Sequence, residues 1–218
     1  MKKVFNLSEK ANIGCKIIGE LRDVKMQTDR RRFRENMSKV GEILAYELSK
    51  SLEYVNAEVE TPLGTAPVML PAKRFVIGTI LRAGLPLHQG VLNVFDHADN
   101  AFVSAYRKHH RDGTFDIRVE YLSCPDLSDS TLILTDAMLA TGASVHLTLQ
   151  KLLEYGDPSS VHLVSAIGSV QGVEYIRRKH PDLNIWIGAI DDELTAKSYI
   201  VPGLGDAGDL SFGEKLQS

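Results

Sequence analysis

The sequence has little cysteine, little tryptophan and little net charge. Its 218 residues include 2 Cys and 1 Trp, and the formal charge is -3. Cys15 and Cys124 are too few and too far apart for a zinc cage or a disulfide framework, which fits a reducing compartment. The small net charge favours neither nucleic acid nor an anionic membrane as a partner.

Long apolar runs are also missing. No stretch approaches the roughly 18 apolar residues of a membrane span, and the N-terminus lacks the apolar run of a signal peptide. We therefore expect a cytoplasmic protein with no membrane partner. The motifs G-x-x-x-x-G-K-[ST], G-x-S-x-G, H-E-x-x-H and C-x-x-C do not occur. The first absence argues against a P-loop kinase.

What is present is an ordinary globular composition, with 44% hydrophobic and 24% charged residues. There is no repeat and no Pro/Ser-rich linker, so we predict a single domain over residues 1–218. Apolar residues at helical spacing predict an amphipathic helix over about 29–54. Arg30, Arg31 and Arg32 at its start form either an anion site or a solvated helix face, and we favour the solvated face. Residues 55–70 surround Pro62 and Gly64 and predict a β-hairpin arm.

From Phe75 onward, strand-length apolar runs alternate with helical segments. This alternation predicts an α/β fold with a parallel sheet covered on both faces. The predicted strands are 75–80, 101–106, 131–134, 161–167 and 185–190, and the predicted helices are 85–95, 144–155 and 171–179. Ligands of such sheets bind beyond the carboxyl ends of the strands, so the loops there are the candidate site.

The loop after the third predicted strand carries the strongest signal. Asp136 ends an apolar run, and small and hydroxylated residues then lead into a helix. Backbone N–H groups at the helix start, with the hydroxyls of Thr141 and Ser144, would hold a phosphate, and Asp136 would accept hydrogen bonds from sugar hydroxyls. The alternative is a plain strand–loop–helix in which Ser144 is the N-cap.

Basic residues follow two other strands. Arg82 precedes Ala83 and Gly84 at the end of the first predicted strand, and Arg107 lies in a basic cluster at the end of the second. Each is either a solvated loop or part of an anion site. The acidic run Asp191–Glu193 is either a cation site or a solvated turn, and we favour the turn.

Gly203, Gly205 and Gly208 near the C-terminus spell G-x-G-x-x-G. The dinucleotide fingerprint must lie inside a βαβ unit with an acid about 20 residues later, and too little chain follows Gly208 for that. We interpret this segment as a non-helical loop whose glycines allow its backbone to lie close to a neighbouring group. Asp206 is its one strongly polar side chain.

Taken together, these loops resemble the uracil phosphoribosyltransferases, a branch of the type I phosphoribosyltransferases. The resemblance covers nearly the whole chain, and its most specific parts are residues 80–84, 136–144 and 199–209. It implies a type I phosphoribosyltransferase fold: a Rossmann-like parallel sheet with helices on both faces, an N-terminal helix, a β-arm and a C-terminal hood.

The resemblance also implies an activity. Uracil and 5-phospho-α-D-ribose 1-diphosphate (PRPP) would give UMP and diphosphate, in a pyrimidine salvage reaction with Mg²⁺ as cofactor. The metal would be held mainly by PRPP and water, with Asp206 acting through those waters and no direct protein ligand. The implied PRPP-binding residues are Arg82, Arg107, Asp136, Ala137, Met138, Leu139, Ala140, Thr141, Gly142, Ala143, Ser144 and Asp206. The implied uracil-binding residues are Ile200, Gly205, Asp206 and Ala207, and the implied catalytic residues are Asp206 and Arg107.

Several positions depart from the family pattern. Ala137 replaces a usual Pro, Ala143 replaces the second Gly of the phosphate loop, Thr195 replaces an Asn, and Leu210 replaces an Arg or Lys. An alanine at position 143 would be strained in a left-handed conformation. These changes motivate an alternative, a weakly active or inactive nucleotide sensor, which could also bind RNA although the net charge argues against that. A further alternative is a purine as the base. The resemblance also implies a homodimer formed through the hairpin arm, with higher oligomers left open.

Overall fold

The structure is a computed structural model that describes residues 4–109 and 115–216; the side chains of residues 105–119 lie outside the description. Eleven strands and six α-helices occur in these ranges. The strands are β1 Val4–Asn6, β2 Tyr54–Thr61, β3 Gly64–Pro71, β4 Phe75–Leu81, β5 Asp99–His109, β6 Phe115–Ser123, β7 Thr131–Leu139, β8 Ser160–Ser169, β9 Asn184–Asp191, β10 Glu193–Leu194 and β11 Ile200–Val201. The helices are α1 Ile13–Arg22, α2 Arg30–Ser49, α3 Leu85–Val94, α4 Ala143–Leu152, α5 Val170–Lys179 and α6 Ala207–Phe212.

Seven strands form the main sheet in the order β1-β9-β8-β7-β4-β5-β6. All neighbours are parallel except β6, which pairs antiparallel with β5 at the edge. The central strands are almost entirely buried, as expected when helices cover both faces. The predicted α/β fold with a parallel sheet is confirmed.

Two hydrophobic clusters cover the two faces of this sheet. One contains buried residues of α1, α2 and α3 together with Ile77 and Ile133 of the sheet. The other contains buried residues of α4 and α5 together with Val76 and Leu132. Adjacent residues of one strand thus enter opposite clusters, since successive side chains of a strand point to opposite faces.

The order of the strands creates a switch point between β4 and β7. From β4 the chain moves outward to β5 on one side, and from β7 it moves outward to β8 and β9 on the other side. The loops that follow β4 and β7 therefore leave the same edge of the sheet in opposite directions. This is the place where open α/β sheets form a ligand crevice.

Helix α2 begins as predicted but ends earlier. Asp29 is its N-cap, and its carboxylate accepts hydrogen bonds from the N–H groups of Arg31 and Arg32. The helix ends at Ser49 instead of continuing to about residue 54. Near this end, the hydroxyls of Ser49 and Ser51 bond to backbone carbonyls three residues earlier, each at 2.7 Å. Such side-chain bonds compete with helical continuation.

The predicted hairpin is confirmed as β2 and β3, which pair from Tyr54↔Pro71 to Thr61↔Gly64. Much of its surface is exposed, including apolar side chains. Leu63 at its tip is fully exposed, and Val55 and Met69 are about half exposed. An isolated hairpin is marginally stable in water. The exposed apolar side chains of this arm are available to pack against a partner.

The arginine run of α2 is exposed, as predicted for a solvated helix face, and it also makes contacts with neighbouring helices. Arg31 is highly exposed and pairs with Glu35 on the same helix. Arg32 pairs with Glu20 of α1, and Arg34 donates to the carbonyl of Ser211 in α6 at 2.7 Å. The run thus helps to hold α1 and α6 against α2. Within the described ranges, no helix has the length and apolar character to cross a bilayer.

Candidate active site at the switch point

The loop after β4 is held close to the end of β7. A Cβ added to Gly84 would lie 2.4 Å from the Thr79 hydroxyl and 3.1 Å from the Thr135 carbonyl, so only glycine fits there. Arg82 lies two residues before Gly84, directly after the last residue of β4. Its guanidinium lies 3.1 Å from the Asp209 carboxylate and 3.4 Å from the Gly213 carbonyl.

The loop after β7 is shorter than the sequence predicted. Strand β7 continues to Leu139 because β8 pairs with it along Asp136↔Ser165, Met138↔Ile167 and Leu139↔Gly168. The predicted site residues 136–139 therefore lie within the strand. Ala137 and Leu139 were expected to bind PRPP, but both residues are fully buried, so neither has surface that a ligand can contact.

Gly142 gives the phosphate-loop candidate its shape. It has a φ of 80°, in the left-handed region, and α4 begins at the next residue. A Cβ at Gly142 would lie 2.9 Å from Tyr175 and 3.2 Å from the carbonyl of Gly172, both in α5. Ser144 is not the N-cap; it lies in the first turn of α4, whose leading N–H groups have no partner within the helix.

Ala143 does not have the strained conformation that its substitution for glycine had suggested. It is the first residue of α4, and the non-glycine residues with positive φ in the described ranges are Asp129 and Ser198. The left-handed position is the preceding Gly142, which is retained. The alanine therefore leaves the backbone path of the loop intact.

Asp136 has an unusual environment for a carboxylate. Part of the residue is exposed, but enough protein surrounds its carboxyl group that desolvation raises its pKa to about 7, although the N–H groups of Met138 and Ala137 oppose that rise. Among the described side chains, none forms an ion pair with it. An isolated acid of this kind is suited to accept hydrogen bonds from neutral donors such as hydroxyl groups.

This environment predicts a pH-dependent stability. The folded state holds a proton on Asp136 up to a pH of about 7, whereas the ordinary pKa is 3.8. The folded state therefore binds more protons than the unfolded state in this interval, and the contribution of Asp136 to stability falls as pH rises from about 4 to about 7. We expect Asp136→Asn to remove this loss. Urea unfolding at pH 5 and pH 8 would measure it as the difference between wild type and variant, and parallel pH curves would contradict it.

The C-terminal segment forms the third wall of the site. We call residues 193–213 the hood; it contains β10, β11 and α6. Contrary to the prediction of a non-helical loop, α6 begins at Ala207. The reason is that Asp206 is its N-cap and its Oδ1 atom accepts from the N–H groups of Gly208 and Asp209, at 2.9 and 3.0 Å. Its other carboxylate oxygen makes no hydrogen bond within the described residues.

The hood meets the loop after β4. A Cβ at Gly208 would lie 3.8 Å from the Arg82 guanidinium and 3.9 Å from the side chain of Ala83. Apolar residues of all three segments belong to one hydrophobic cluster. These are Ala83 after β4, Ala137, Met138 and Ala140 around the end of β7, and Ile200, Leu204, Ala207 and Leu210 of the hood. Loops that are far apart in sequence therefore share one edge of the sheet.

A cavity of about 340 Å³ opens beside the hood. The charged side chains of Asp206 and Asp209 line it together with Arg30 of α2. Gly205, predicted to bind a ligand, lines the same cavity. Within the described residues, no three His, Cys, Asp or Glu side chains are arranged to hold a metal ion.

One predicted site residue cannot be placed. The backbone of Arg107 lies in β5 opposite Ile117 of β6, but its side chain is outside the described residues. The basic cluster around it is outside for the same reason.

The sequence analysis missed a buried ion pair beneath the hood. Asp191 was assigned to a solvated acidic turn, but it is 7% exposed. It forms two hydrogen bonds with Arg22 of α1, at 2.7 and 2.8 Å. The signal that was available is its position, because Asp191 directly follows an apolar strand at the edge of the sheet where functional acids occur.

Comparison with known proteins agrees with this geometry. The family model described as uracil phosphoribosyltransferase matches residues 15–214. A uracil phosphoribosyltransferase of Porphyromonas gingivalis is 50% identical over 215 residues, which cover 98% of this chain and 100% of that protein. The uracil phosphoribosyltransferase of Pyrococcus furiosus is 37% identical over 204 residues, covering 92% of this chain and 86% of its relative.

Solved structures show the same fold. The AQ2163 protein from Aquifex aeolicus superimposes with a TM-score of 0.87 at 28% identity, covering 98% of this chain and 100% of that chain. A hypoxanthine phosphoribosyltransferase from Staphylococcus aureus shares the fold at a TM-score of 0.51 and 15% identity, covering 74% of this chain and 76% of that one. The resemblance noted from the loops is confirmed, and the chain belongs to the uracil phosphoribosyltransferase family.

Proposed function

We propose that this chain transfers the 5-phosphoribosyl group of PRPP to uracil, forming UMP and diphosphate. The observation that carries the proposal is the convergence of the loop after β4, the loop after β7 and the hood at the switch point of the sheet. Membership of the family supports the choice of substrates.

PRPP binding is assigned to the two strand-end loops. The 5-phosphate binds at the start of α4, where the backbone N–H groups and the hydroxyls of Thr141 and Ser144 donate to it. Asp136 accepts hydrogen bonds from the ribose hydroxyls. Arg82 and Arg107 bind the diphosphate, because a guanidinium can donate two parallel hydrogen bonds to a phosphate.

Uracil binding is assigned to the hood. The edge of uracil alternates carbonyl and N–H groups, and the backbone groups of Ile200, Gly205 and Ala207 supply complementary donors and acceptors. A site that pairs with this edge rejects cytosine, because the amino group of cytosine would face a donor. The selectivity for uracil over cytosine then depends on the path of the hood backbone.

The residues present fit the expected requirement for Mg²⁺. One oxygen of Asp206 is occupied by the helix cap, and the other is free within the described residues. Mg²⁺ commonly keeps several waters and binds one or two carboxylates together with substrate phosphates, so Asp206 would hold it through water beside PRPP. When bound, the ion neutralises charge that develops on the departing diphosphate.

Charge stabilisation is the main catalytic contribution of the protein itself. As the bond from C1 to the diphosphate breaks, positive charge grows on the ribose and negative charge grows on the leaving group. The bond from C1 to N1 of uracil forms in its place, and the N1 proton ends on the released diphosphate. The guanidinium groups of Arg82 and Arg107 offset the negative charge on the leaving group, and Asp206 acts from the hood through Mg²⁺ and its waters. This scheme needs no covalent nucleophile from the protein.

The test is direct synthesis of UMP. Purified protein with labelled uracil, PRPP and Mg²⁺ is expected to form labelled UMP, and chelation of the metal with EDTA is expected to abolish the reaction until Mg²⁺ is restored. Hypoxanthine in place of uracil is expected to give no nucleotide. No UMP across a range of pH and salt, or nucleotide from the purine alone, would overturn the proposal.

The sensor alternative loses its main motivation in this structure. It depended on a distorted phosphate loop, and Ala143 has an ordinary helical position. UMP that binds tightly without any turnover would favour that alternative.

We further propose a homodimer formed through the hairpin arm. Its exposed apolar side chains Val55, Leu63 and Met69 fit burial against a second copy. Sedimentation at micromolar concentration is expected to show a mass twice that of the 24.1 kDa chain, and Leu63→Asp is expected to shift the distribution toward monomer. A species of monomer mass alone in the wild type would contradict this assembly.

A further inference from the structure

Both backbone groups of Gly203 in the hood are held by one buried ion pair. The N–H group of Gly203 donates to Asp191 Oδ2 at 2.9 Å, and its carbonyl accepts from Arg22 Nη1 at 3.0 Å. Arg22 and Asp191 are themselves joined by two hydrogen bonds, at 2.7 and 2.8 Å. We call this arrangement the Arg22–Asp191 clamp.

The clamp connects the hood to rigid parts of the molecule. Arg22 is the last residue of α1, and Asp191 is the last residue of β9. The Asp191 side chain is 7% exposed and that of Arg22 is 23% exposed, so water competes weakly for these bonds. The position of Gly203 is therefore set by a helix end and a strand end.

Gly203 lies in a conformation and a space that admit no side chain. Its φ is 58°, and an added Cβ would lie 2.2 Å from the carbonyl of Ile200. The neighbouring Leu204 and the more distant Ile200 are both buried. A backbone fixed at one residue and flanked by buried side chains constrains the next residues, which are Gly205, Asp206 and Ala207.

We propose that Arg22 and Asp191 are positioning residues for uracil, which set the backbone of residues 205–207 by holding Gly203. This inference rests on the proposed function, because it assumes that this segment binds the base. Neither side chain is assigned a contact with uracil. Loss of the clamp is expected to weaken uracil binding while leaving the PRPP loops, which belong to β4 and β7, in place.

The decisive variant replaces both partners with apolar residues. Removing one partner leaves a buried charge unpaired and destabilises the fold, whereas replacing a buried ion pair by apolar residues is often neutral for stability. Arg22→Met with Asp191→Val removes both charges together but leaves the N–H and the carbonyl of Gly203 without these partners, so it is expected to melt below the wild-type temperature and to remain folded under assay conditions. Its KM for uracil is expected to rise about 10- to 100-fold, which is the scale of a small misplacement in an active site. Its kcat is expected to fall, because the same segment contains Asp206, and the KM for PRPP is expected to rise much less than the KM for uracil.

Two further variants separate positioning from general stability. Arg22→Lys keeps the charge but lacks the forked donor geometry, so it is expected to raise the KM for uracil with little loss of stability. Glu20→Gln breaks an ion pair of the same chemical type between α1 and α2, where Glu20 binds Arg32. This control is expected to leave both KM values unchanged.

The outcomes are distinct from those that test the function. Wild-type protein that forms no UMP overturns the proposed function, and the positioning role for uracil falls with it. With an active wild type, a double variant whose KM for uracil equals that of wild type overturns the positioning role. A parallel rise of both KM values overturns it as well, because it would show a general loss of structure.

Discussion

Replacing Asp206 by Asn is expected to lower kcat for UMP formation by about 10²- to 10³-fold, the scale on which single electrostatic groups act in active sites. The substitution changes only the carboxylate oxygen that does not cap α6. The Oδ1 atom that caps α6 accepts from Gly208 and Asp209, and the amide oxygen of Asn can replace it, since Asn caps helices as well as Asp does. The negative charge beside PRPP is lost while the hood keeps its shape.

Steady-state kinetics and thermal unfolding of the same samples would check this expectation. Asp126→Asn is the matched control, because Asp126 Oδ1 also accepts from a backbone N–H two residues later, that of Ser128 at 3.0 Å. Asp126 precedes β7, at the opposite edge of the sheet, and its substitution is expected to leave kcat unchanged. An unchanged kcat in Asp206→Asn would remove Asp206 from the mechanism.

Replacing Gly142 by Ala is expected to raise the KM for PRPP by about 10- to 100-fold. The φ of 80° at this residue is unfavourable for an L side chain by about 1–2 kcal/mol. In addition, the new Cβ would lie 2.9 Å from the Tyr175 ring and 3.1 Å from Ile176. The loop can relieve these contacts only by moving away from α5, and the N–H groups at the start of α4 would move with it.

Ala143→Gly is the matched change one residue later. It restores the glycine pair that the family usually has, but Ala143 is already in a helical conformation. We therefore expect unchanged kinetic constants and a loss of about 1 kcal/mol or less in stability from the lower helix propensity of glycine. A large gain in PRPP affinity in Ala143→Gly, or wild-type kinetics in Gly142→Ala, would contradict this account of the loop.

Local sequence patterns correctly predicted the elements whose apolar residues recur at a regular spacing and are buried in the structure. The buried strands around Ile77 and Ile133 and the apolar stripe of α2 are of this kind, because each repeats a simple spacing over many residues. The predicted ends of the helices and strands were less accurate. Residues 136–139 were assigned to a loop, and they lie in β7 because its neighbour β8 extends the pairing.

Contacts between residues that are far apart in the sequence could not be predicted from local patterns. The strand β1 has three residues, and it is a strand because it pairs with β9 near the other end of the chain. The bonds from Arg22 to Asp191 and Gly203 span 169 and 181 residues, so no window of sequence contains both partners. The resemblance supplied the roles of site residues such as Asp206, but the helix cap that this residue forms became evident only in three dimensions.

The contact between Arg82 and Asp209 has a consequence for how a substrate arrives. The Arg82 guanidinium has an anionic neighbour, the Asp209 carboxylate, at 3.1 Å. If a diphosphate binds Arg82 as proposed, it therefore displaces a carboxylate instead of meeting an unneutralised charge. Because one anion replaces another, charge attraction to Arg82 adds little net binding free energy. The shape of the anion and the number of hydrogen bonds that it accepts then decide which anion binds.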